Sequence, residues 1–303
     1  MYDVVIIGSG PAGLSAAIYA RRALLKVLII DKNPMCGGQI INTAEVDNYL
    51  GMPGVSGIQM AMSFKAHADM FEPETLIGEV EGIRCEQNYN VIMMKDKTNL
   101  KTKTIIFATG AKYKLLNVKG EEEFKGRGVS YCATCDGAFF RQKKVAVVGG
   151  GDVALEDAIY LSKICNKVYL INRRNELRGS KHLQKRVFEC ENIEFLGDYV
   201  VDSINGDSKV KNVIIKNKNT QEERMLDVDG IFIAIGMVPE SELLKGLVEL
   251  DENGYVVAGE DTVTSNKSIF AVGDVRTKSL RQIITAAADG AVAVYEIEKY
   301  LNL

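Results

Sequence analysis

Asp3 to Gly8 is a short apolar run that ends in glycine, Pro11 to Leu24 repeats apolar positions at helical spacing, and Lys26 to Asp31 is again short and apolar. Short runs bounded by turn residues predict strands and the longer periodic stretch predicts a helix, so together they form a βαβ unit. The same order returns at Lys143 to Gly149, Asp152 to Cys165 and Lys167 to Ile171. Further strands are expected at Thr75 to Arg84, Tyr89 to Met94, Thr104 to Ala108, Gly230 to Ile235 and Ser268 to Val272, with a long helix from Leu280. Parallel strands require helical crossovers, so the pattern calls for an α/β fold with ligands at the carboxyl edge of each sheet. The second βαβ unit reads as an insertion into the first: residues 1–113 and 242–303 on one side, 114–241 on the other.

Each unit opens with a turn of small residues. In Gly8-Ser9-Gly10-Pro11-Ala12-Gly13 the glycines permit a tight turn, the approach of a pyrophosphate and close helix packing. The free N–H groups of the helix start then face the phosphates. Asp31, at the end of the next strand and followed by Lys32, is placed to accept a hydrogen bond from an adenosine ribose. The alternative is an α/β turn that merely needs glycine, but the strand–turn–helix context favours a nucleotide site. The second turn, Gly149-Gly150-Gly151-Asp152-Val153-Ala154, puts Ala154 in the third small position. At the end of its strand Asn172 stands where an acid would favour NAD, and Arg173, Arg174 and Arg178 follow. Guanidinium groups can hold a 2′-phosphate bidentately, which points to NADPH over NADH; a solvated face is the alternative for these arginines.

At 303 residues and 47% hydrophobic, the chain has material for two cores. With 37 Lys and Arg against 40 Asp and Glu there is no basic field for a polyanion, so no nucleic-acid partner is expected. The apolar start at Tyr2 to Ile7 is too short for a signal peptide and lacks a basic leader, and no stretch is long enough to span a bilayer. A soluble cytoplasmic protein without a membrane partner is the expectation. Of six cysteines only Cys132 and Cys135 form a close pair, in Tyr131-Cys132-Ala133-Thr134-Cys135-Asp136-Gly137. That spacing suits a reversible disulfide. A zinc site would need a second pair; Cys165 and Cys190 stand isolated and the chain has only His67 and His182, so no metal is expected. Asp136 is a candidate to supply or accept the proton that thiolate chemistry moves, the alternative being a capping role. Cys165 falls at core spacing, Cys85 ends a strand, Cys190 ends a helix, and Cys36 adjoins the loop Gly37-Gly38-Gln39.

Taken together, these motifs resemble the low-molecular-weight thioredoxin reductases over almost the whole chain. The likeness rests on both fingerprints and on Gly37-Gly38-Gln39, Thr43 to Asn48, Ala108 to Ala111, Gly126 to Gly137, and Ile269 to Arg276 followed by Arg281-Gln282. It implies two Rossmann-like dinucleotide-binding domains, the NADPH domain (114–241) being inserted in the FAD domain (1–113 and 242–303). It also implies that the loop Gly37, Gly38 and Gln39 faces the cofactor and, with Asn48, Ala108, Thr109, Gly110, Gly273, Asp274, Arg281, Gln282 and Ile283, joins the first fingerprint around FAD. Gly273-Asp274 would hold the ribityl and phosphate side, and Arg281-Gln282 would lie beside the isoalloxazine. By the same likeness Cys135 faces the flavin, Cys132 is the interchange thiol, Asp136 is the acid/base, thioredoxin or a thioredoxin-like protein is the partner, and the chain is a homodimer. Asn172, Met237 and Ala138 depart from the family, where His, His and Phe are common. Two other readings stay open: a related flavoenzyme fed by ferredoxin, against which the second fingerprint argues, and a non-enzymatic redox sensor signalling through the dithiol.

Overall fold

In the computed structural model, residues 1–43, 45–46 and 48–302 are described, so Ala44 and Asp47 of the Thr43 to Asn48 stretch lie outside the described residues. The chain divides into a first unit, Met1–Lys112 with Val238–Leu303, and a second, Tyr113–Met237. The expected βαβ start is present as β1 (Tyr2–Ile7), α1 (Pro11–Arg22) and β2 (Val27–Asp31). Pro11 opens α1, where its missing N–H removes no helical bond. Helix α2 (Gly57–Asp69) starts from a capping box between Ser56 and Gln59.

The single strand expected at Thr75 to Arg84 is two strands, β3 (Glu74–Ile77) and β4 (Val80–Cys85). The break falls at Gly78, whose N–H donates to Asp31 O at 2.8 Å and where an added Cβ would lie 2.8 Å from the Met94 methyl. Pairing changes there as well: β3 runs parallel to β2, whereas β4 runs antiparallel to β5 (Asn90–Met94). The chain then forms β6 (Asn99–Phe107) and reaches the second unit through β7 (Ala111–Tyr113).

In the second unit β8 (Val129–Ser130), the one-turn helix α3 (Ala133–Asp136), β9 (Lys144–Val148), α4 (Asp152–Ser162), β10 (Lys167–Asn172), α5 (Lys181–Glu189) and β11 (Ile193–Gly197) follow in order. Strands β12 (Tyr199–Gly206), β13 (Val210–Asn217) and β14 (Glu223–Asp227) come next, before β15 (Gly230–Ile233). The main sheet is parallel, in the order β11-β10-β9-β15-β8. Alternate residues of its strands serve opposite faces. Val145, Val147, Val168, Leu170 and Phe232 pack with Leu155 and Ala158 of α4, whereas Ala146, Val148, Ile171, Ile231 and Ile233 pack with Val201, Ile204, Val213, Ile215 and Leu226. The second cover is the antiparallel sheet β12-β13-β14, which the sequence reading did not anticipate.

The chain returns to the first unit at β16 (Met237–Pro239) and adds β17 (Ile269–Ala271) and α6 (Ile283–Leu301). This return lies earlier than the 241 expected, because Glu240 is tied to the first unit: its N–H donates to Gly110 O at 3.0 Å and its carbonyl accepts from the Thr109 hydroxyl at 2.7 Å. Helix α6 starts at Ile283 rather than Leu280, with Gln282 and Thr285 forming its cap. The sheet order is β3-β2-β1-β6-β5-β4, and the nine-residue β6 runs parallel to β1 on one side and serves two partners on the other, β5 antiparallel along its first half and β17 parallel along its second. Helices α1 and α6 cover one face through Leu14, Ala17, Val294 and Ile297 against Val4, Ile6, Val27 and Ile29.

Asp157, on α4, is mostly buried, and burial beside Glu156 pushes its carboxyl from 3.8 up to about 7. The folded state therefore holds this proton more tightly than the unfolded chain, so stability falls as pH rises from about 4 through 7. Asp157→Asn is expected to raise thermal stability above pH 7, by up to about 4 kcal/mol, and to have no effect near pH 3; melting curves across pH check both ends.

Candidate functional site

The three glycines of the first turn differ in what surrounds them. Gly8 has φ +109°, and a Cβ there would lie 2.4 Å from Ala108 O. A Cβ on Gly13 would lie 2.0 Å from Gly8 O, so α1 rests directly on the end of β1. At Gly10 nothing lies nearer than 4.0 Å, which leaves the approach open for a phosphate. Ser9 is buried, and both its N–H (2.8 Å) and its hydroxyl (2.6 Å) donate to one oxygen of Asp31, whose other oxygen accepts from Asn33 N–H. Asp31 therefore braces the turn, a role the sequence reading did not assign to it. Lys32 points to Glu240, 3.6 Å away, and Lys112 pairs with the same carboxylate.

The loop expected to face the cofactor docks on this turn. Gly37 N–H donates to Ser9 O at 2.9 Å, and a Cβ on Gly38 would meet Gly10 Cα at 3.4 Å. Gln39 donates to the carbonyl of Ala111, which follows Ala108, Thr109 and Gly110; Gly110 has φ +73° and open space where a side chain would be. Ala12 lies 3.2 Å from where a Cβ on Gly273 would sit, so the chain's two ends meet at the fingerprint. Asn48 donates to the Gln282 side chain at 3.1 Å, and Ile283 packs against the cluster of Ile40 and Met60.

Beneath Gly273 lies a buried charge cluster that sequence patterning did not reveal. Asp289, on α6, accepts from Gly273 N–H (2.8 Å), Arg276 Nε and Nη2 (2.9 and 2.7 Å) and Lys278 Nζ (2.9 Å). Burial pushes the Asp289 carboxyl up, but the hydrogen bonds from Arg276 and Lys278 outweigh it and hold it below its ordinary value. Asp274, beside this cluster, is raised by burial. Among the described residues, one oxygen of Asp274 and the Nε of Arg281 are buried without a hydrogen-bond partner, and the Arg281 guanidinium lies 4.3 Å from the Tyr255 ring centre. Both groups fit a polar ligand that completes them.

The second turn repeats the geometry with different chemistry. Gly149 has φ +150°, and its missing Cβ would lie 2.4 Å from Ala234 O and 2.7 Å from the Ala154 methyl. Gly151 faces open space. Gly150, which corresponds to Ser9, is packed under Asn172, whose amide would be 2.7 Å from any Cβ there. Asn172 turns its two N–H groups to Arg174 O and Glu176 O, both at 2.9 Å, while Arg178 and Gly179 N–H donate to Gly150 O at 2.7 and 3.0 Å. The loop folds back on the turn, leaving Arg173, Arg174 and Arg178 exposed, and among the described residues none of their guanidinium groups is in a salt bridge. They precede α5, which begins at Lys181. Asp152 opens α4 and accepts from Ser180 N–H at 2.6 Å, and Val153 beside it is exposed.

Cys132 and Cys135 form a disulfide, with Cα atoms 5.3 Å apart, across the first turn of α3. Cys132 is the cap of that turn and its Sγ lies 3.4 Å from the Thr134 hydroxyl. Asp136 accepts from the buried Ser130 hydroxyl at 2.6 Å, and Ser130 in turn accepts from Cys132 N–H at 3.1 Å. A second carboxylate, the buried Glu121, accepts from Leu116 N–H, Asn117 N–H and the Tyr131 hydroxyl, and Tyr131 stacks on Tyr113 with ring centres 5.1 Å apart. Ser130 lies within the Gly126 to Gly137 stretch, two residues before Cys132, but its spacing does not show that its hydroxyl turns to Asp136; Glu121 carries no motif that marks it. Of the free cysteines, Cys165 is in the core, donating to Phe140 O, and its burial pushes the thiol up to about 11. No group of three His, Cys, Asp or Glu side chains could hold a metal among the described residues, and no described helix is long and apolar enough to cross a membrane.

A model of the pyridine nucleotide-disulphide oxidoreductase family matches residues 2–290. The chain is 42% identical over 303 residues to the thioredoxin reductase of Bacillus subtilis (strain 168), spanning 100% of this chain and 95% of that one. The solved thioredoxin reductase of Streptococcus pyogenes MGAS5005 aligns with a TM-score of 0.95 at 44% identity, covering 100% of this chain and 98% of its own. The Lactococcus lactis thioredoxin reductase, in its FR conformation, gives a TM-score of 0.68 at 43% identity with 100% of both chains covered. With these relatives matched end to end, and with both fingerprints and the disulfide in place, the chain belongs to the pyridine nucleotide-disulphide oxidoreductase family, among its thioredoxin reductases.

Proposed function

We propose that this chain is an NADPH-dependent thioredoxin-disulfide reductase carrying FAD. The observation that carries the reading is the Cys132–Cys135 disulfide, flanked by Asp136, in the unit whose nucleotide turn presents three unpaired arginines. FAD fits the first unit: the open faces of Gly10 and Gly110 suit a pyrophosphate and a flat ring system, and the partnerless oxygen of Asp274 and Nε of Arg281 await polar groups. Asp31 keeps about one of its roughly four acceptor sites beyond the three that Ser9 and Asn33 use, on the oxygen bound to Asn33, and it suits a ribose hydroxyl. When bound, FAD supplies hydride acceptance from the nicotinamide and two-electron delivery to a disulfide.

The chain's own residues do the rest. In the second unit Arg173, Arg174 and Arg178 hold the 2′-phosphate of NADPH, and the N-terminus of α4 receives its pyrophosphate. Once Cys132 and Cys135 are reduced, the Cys132 thiolate attacks one sulfur of the thioredoxin disulfide, forming a mixed disulfide and releasing the other sulfur as a thiolate, which Asp136 protonates. Cys135 then attacks Cys132, reforming the internal disulfide and releasing thioredoxin's second sulfur, so two electrons leave as two thiols.

Anaerobic titration of the purified protein with NADPH is expected to bleach the flavin absorbance, and oxidised thioredoxin is expected to restore it. Absence of bleaching with either nicotinamide would favour a ferredoxin-fed enzyme, and bleaching that thioredoxin does not reverse would favour a sensor or another disulfide partner. Replacing Arg173 and Arg174 by Ala should raise the KM for NADPH by roughly 10- to 100-fold and leave that for NADH nearly unchanged, as steady-state kinetics with both donors will read. For Cys132→Ser, flavin bleaching by NADPH persists while thioredoxin turnover is lost; retained turnover contradicts the assignment of the interchange thiol.

A further inference from the structure

We infer that Ser130 is the positioning residue that lets Asp136 hold and release a proton beside the dithiol; the inference rests on the reading of Asp136 as the acid in thiol exchange. Ser130 sits at the end of β8, is only 4% exposed, and meets three polar groups. Its oxygen accepts from Cys132 N–H at 3.1 Å. Its single hydrogen has two acceptors in reach, Asp136 Oδ2 at 2.6 Å and Cys132 O at 3.4 Å.

Those two acceptors match the two protonation states of the acid. While Asp136 is ionised, the hydroxyl hydrogen points to the carboxylate, the nearer acceptor. Once Asp136 is protonated, its own O–H donates to the Ser130 oxygen, and the serine hydrogen turns to the Cys132 carbonyl. A hydroxyl oxygen can accept two hydrogen bonds and donate one, so both states are fully satisfied by rotation about one bond. An alanine here would remove this donor from the partly buried carboxylate in one state and this acceptor from the acid in the other. The proton balance is simple: the carboxylic acid gives its proton to the departing thiolate, leaving a carboxylate and a thiol, and solvent restores the acid.

Other ionisable groups near α3 must be kept apart from this effect. The short helix itself carries Cys135 and is capped by Cys132, and α4, which packs against it, carries Asp152, Glu156, Asp157 and Tyr160. Asp157 titrates at about 7, so each comparison is repeated in an Asp157→Asn background.

The test is the pH profile of thioredoxin reduction by the holoenzyme in the native protein, Ser130→Ala, Ser130→Thr and Asp136→Asn. The alanine loses a hydrogen bond from each state, but the charge-assisted one to the ionised form is the stronger, so Ser130→Ala should move upward, by roughly one to two pH units, the limb that Asp136→Asn abolishes. Ser130→Thr, which keeps the hydroxyl, should restore the native limb. If Ser130→Ala does not fold, Ser130→Gly removes the same hydroxyl and is read instead. A hydroxyl-free variant whose profile superposes on the native one, while Asp136→Asn changes it, overturns the role of Ser130 and leaves the proposed activity standing. An Asp136→Asn profile that superposes on the native one removes Asp136 as the acid and overturns this inference with it.

Discussion

The first unit depends on backbones meeting where no side chain can fit. Gly13 sits on the carbonyl of Gly8, and a Cβ on Gly290 of α6 would lie 2.2 Å from Ala12 O and 2.8 Å from Ala16 N. Strand β1, helix α1 and helix α6 are therefore stacked main chain against main chain, with Ser15 donating across to Ala287 O at 2.7 Å. This approach brings Gly273, from the far end of the chain, against Ala12 in the nucleotide turn. A methyl group at either glycine would push the layers apart and separate the two halves of the candidate flavin site.

Close approach also carries charge into the interior. Arg276 is 1% exposed, and the carboxylate of Asp289, the Ala258 and Thr277 carbonyls and the more distant carboxylate of Glu260 (3.8 Å) make its burial tolerable. Asp289 in turn holds Gly273 N–H, fixing a residue at φ +74° just before Asp274. Breaking such a buried pair by removing one partner costs about 3–5 kcal/mol, so the cluster ties the position of the site's carboxylate to the integrity of the core. Glu121 does comparable work in the second unit, where two backbone N–H groups and the Tyr131 hydroxyl converge on it just ahead of Cys132.

The two nucleotide turns show how one substitution alters the use of shared geometry. A carboxylate at Asp31 only accepts, so it collects the Ser9 donors and braces the turn from below. The amide of Asn172 donates, which an aspartate could not do when ionised, and it binds the carbonyls of Arg174 and Glu176 instead. Gly150 leaves the room this requires. The change from acid to amide thus removes a negative charge and also folds the arginine loop back onto the turn, which suits an anionic nucleotide on both counts.

Sequence by itself determined the parts that local rules govern. Apolar periodicity located both βαβ units, glycines at fixed offsets located both turns, and the Cys132/Cys135 spacing located a disulfide that closes within one helical turn. It also marked Arg173, Arg174 and Arg178, because an arginine run after a fingerprint strand needs no partner elsewhere to be noticed. Tertiary structure alone decided the rest. The break at Gly78 depends on Met94 and Asp31, and the β12-β13-β14 sheet exists as a cover because one face of the parallel sheet is apolar and must be buried. Glu121 and Asp289 are single polar residues within ordinary patterns, and each gains its role from partners brought together by folding, while the turn after β8 decides that the Ser130 hydroxyl meets Asp136. Local spacing encodes which residues can share a turn, strand face or helix face, whereas a buried hydrogen bond between distant segments leaves no period to read.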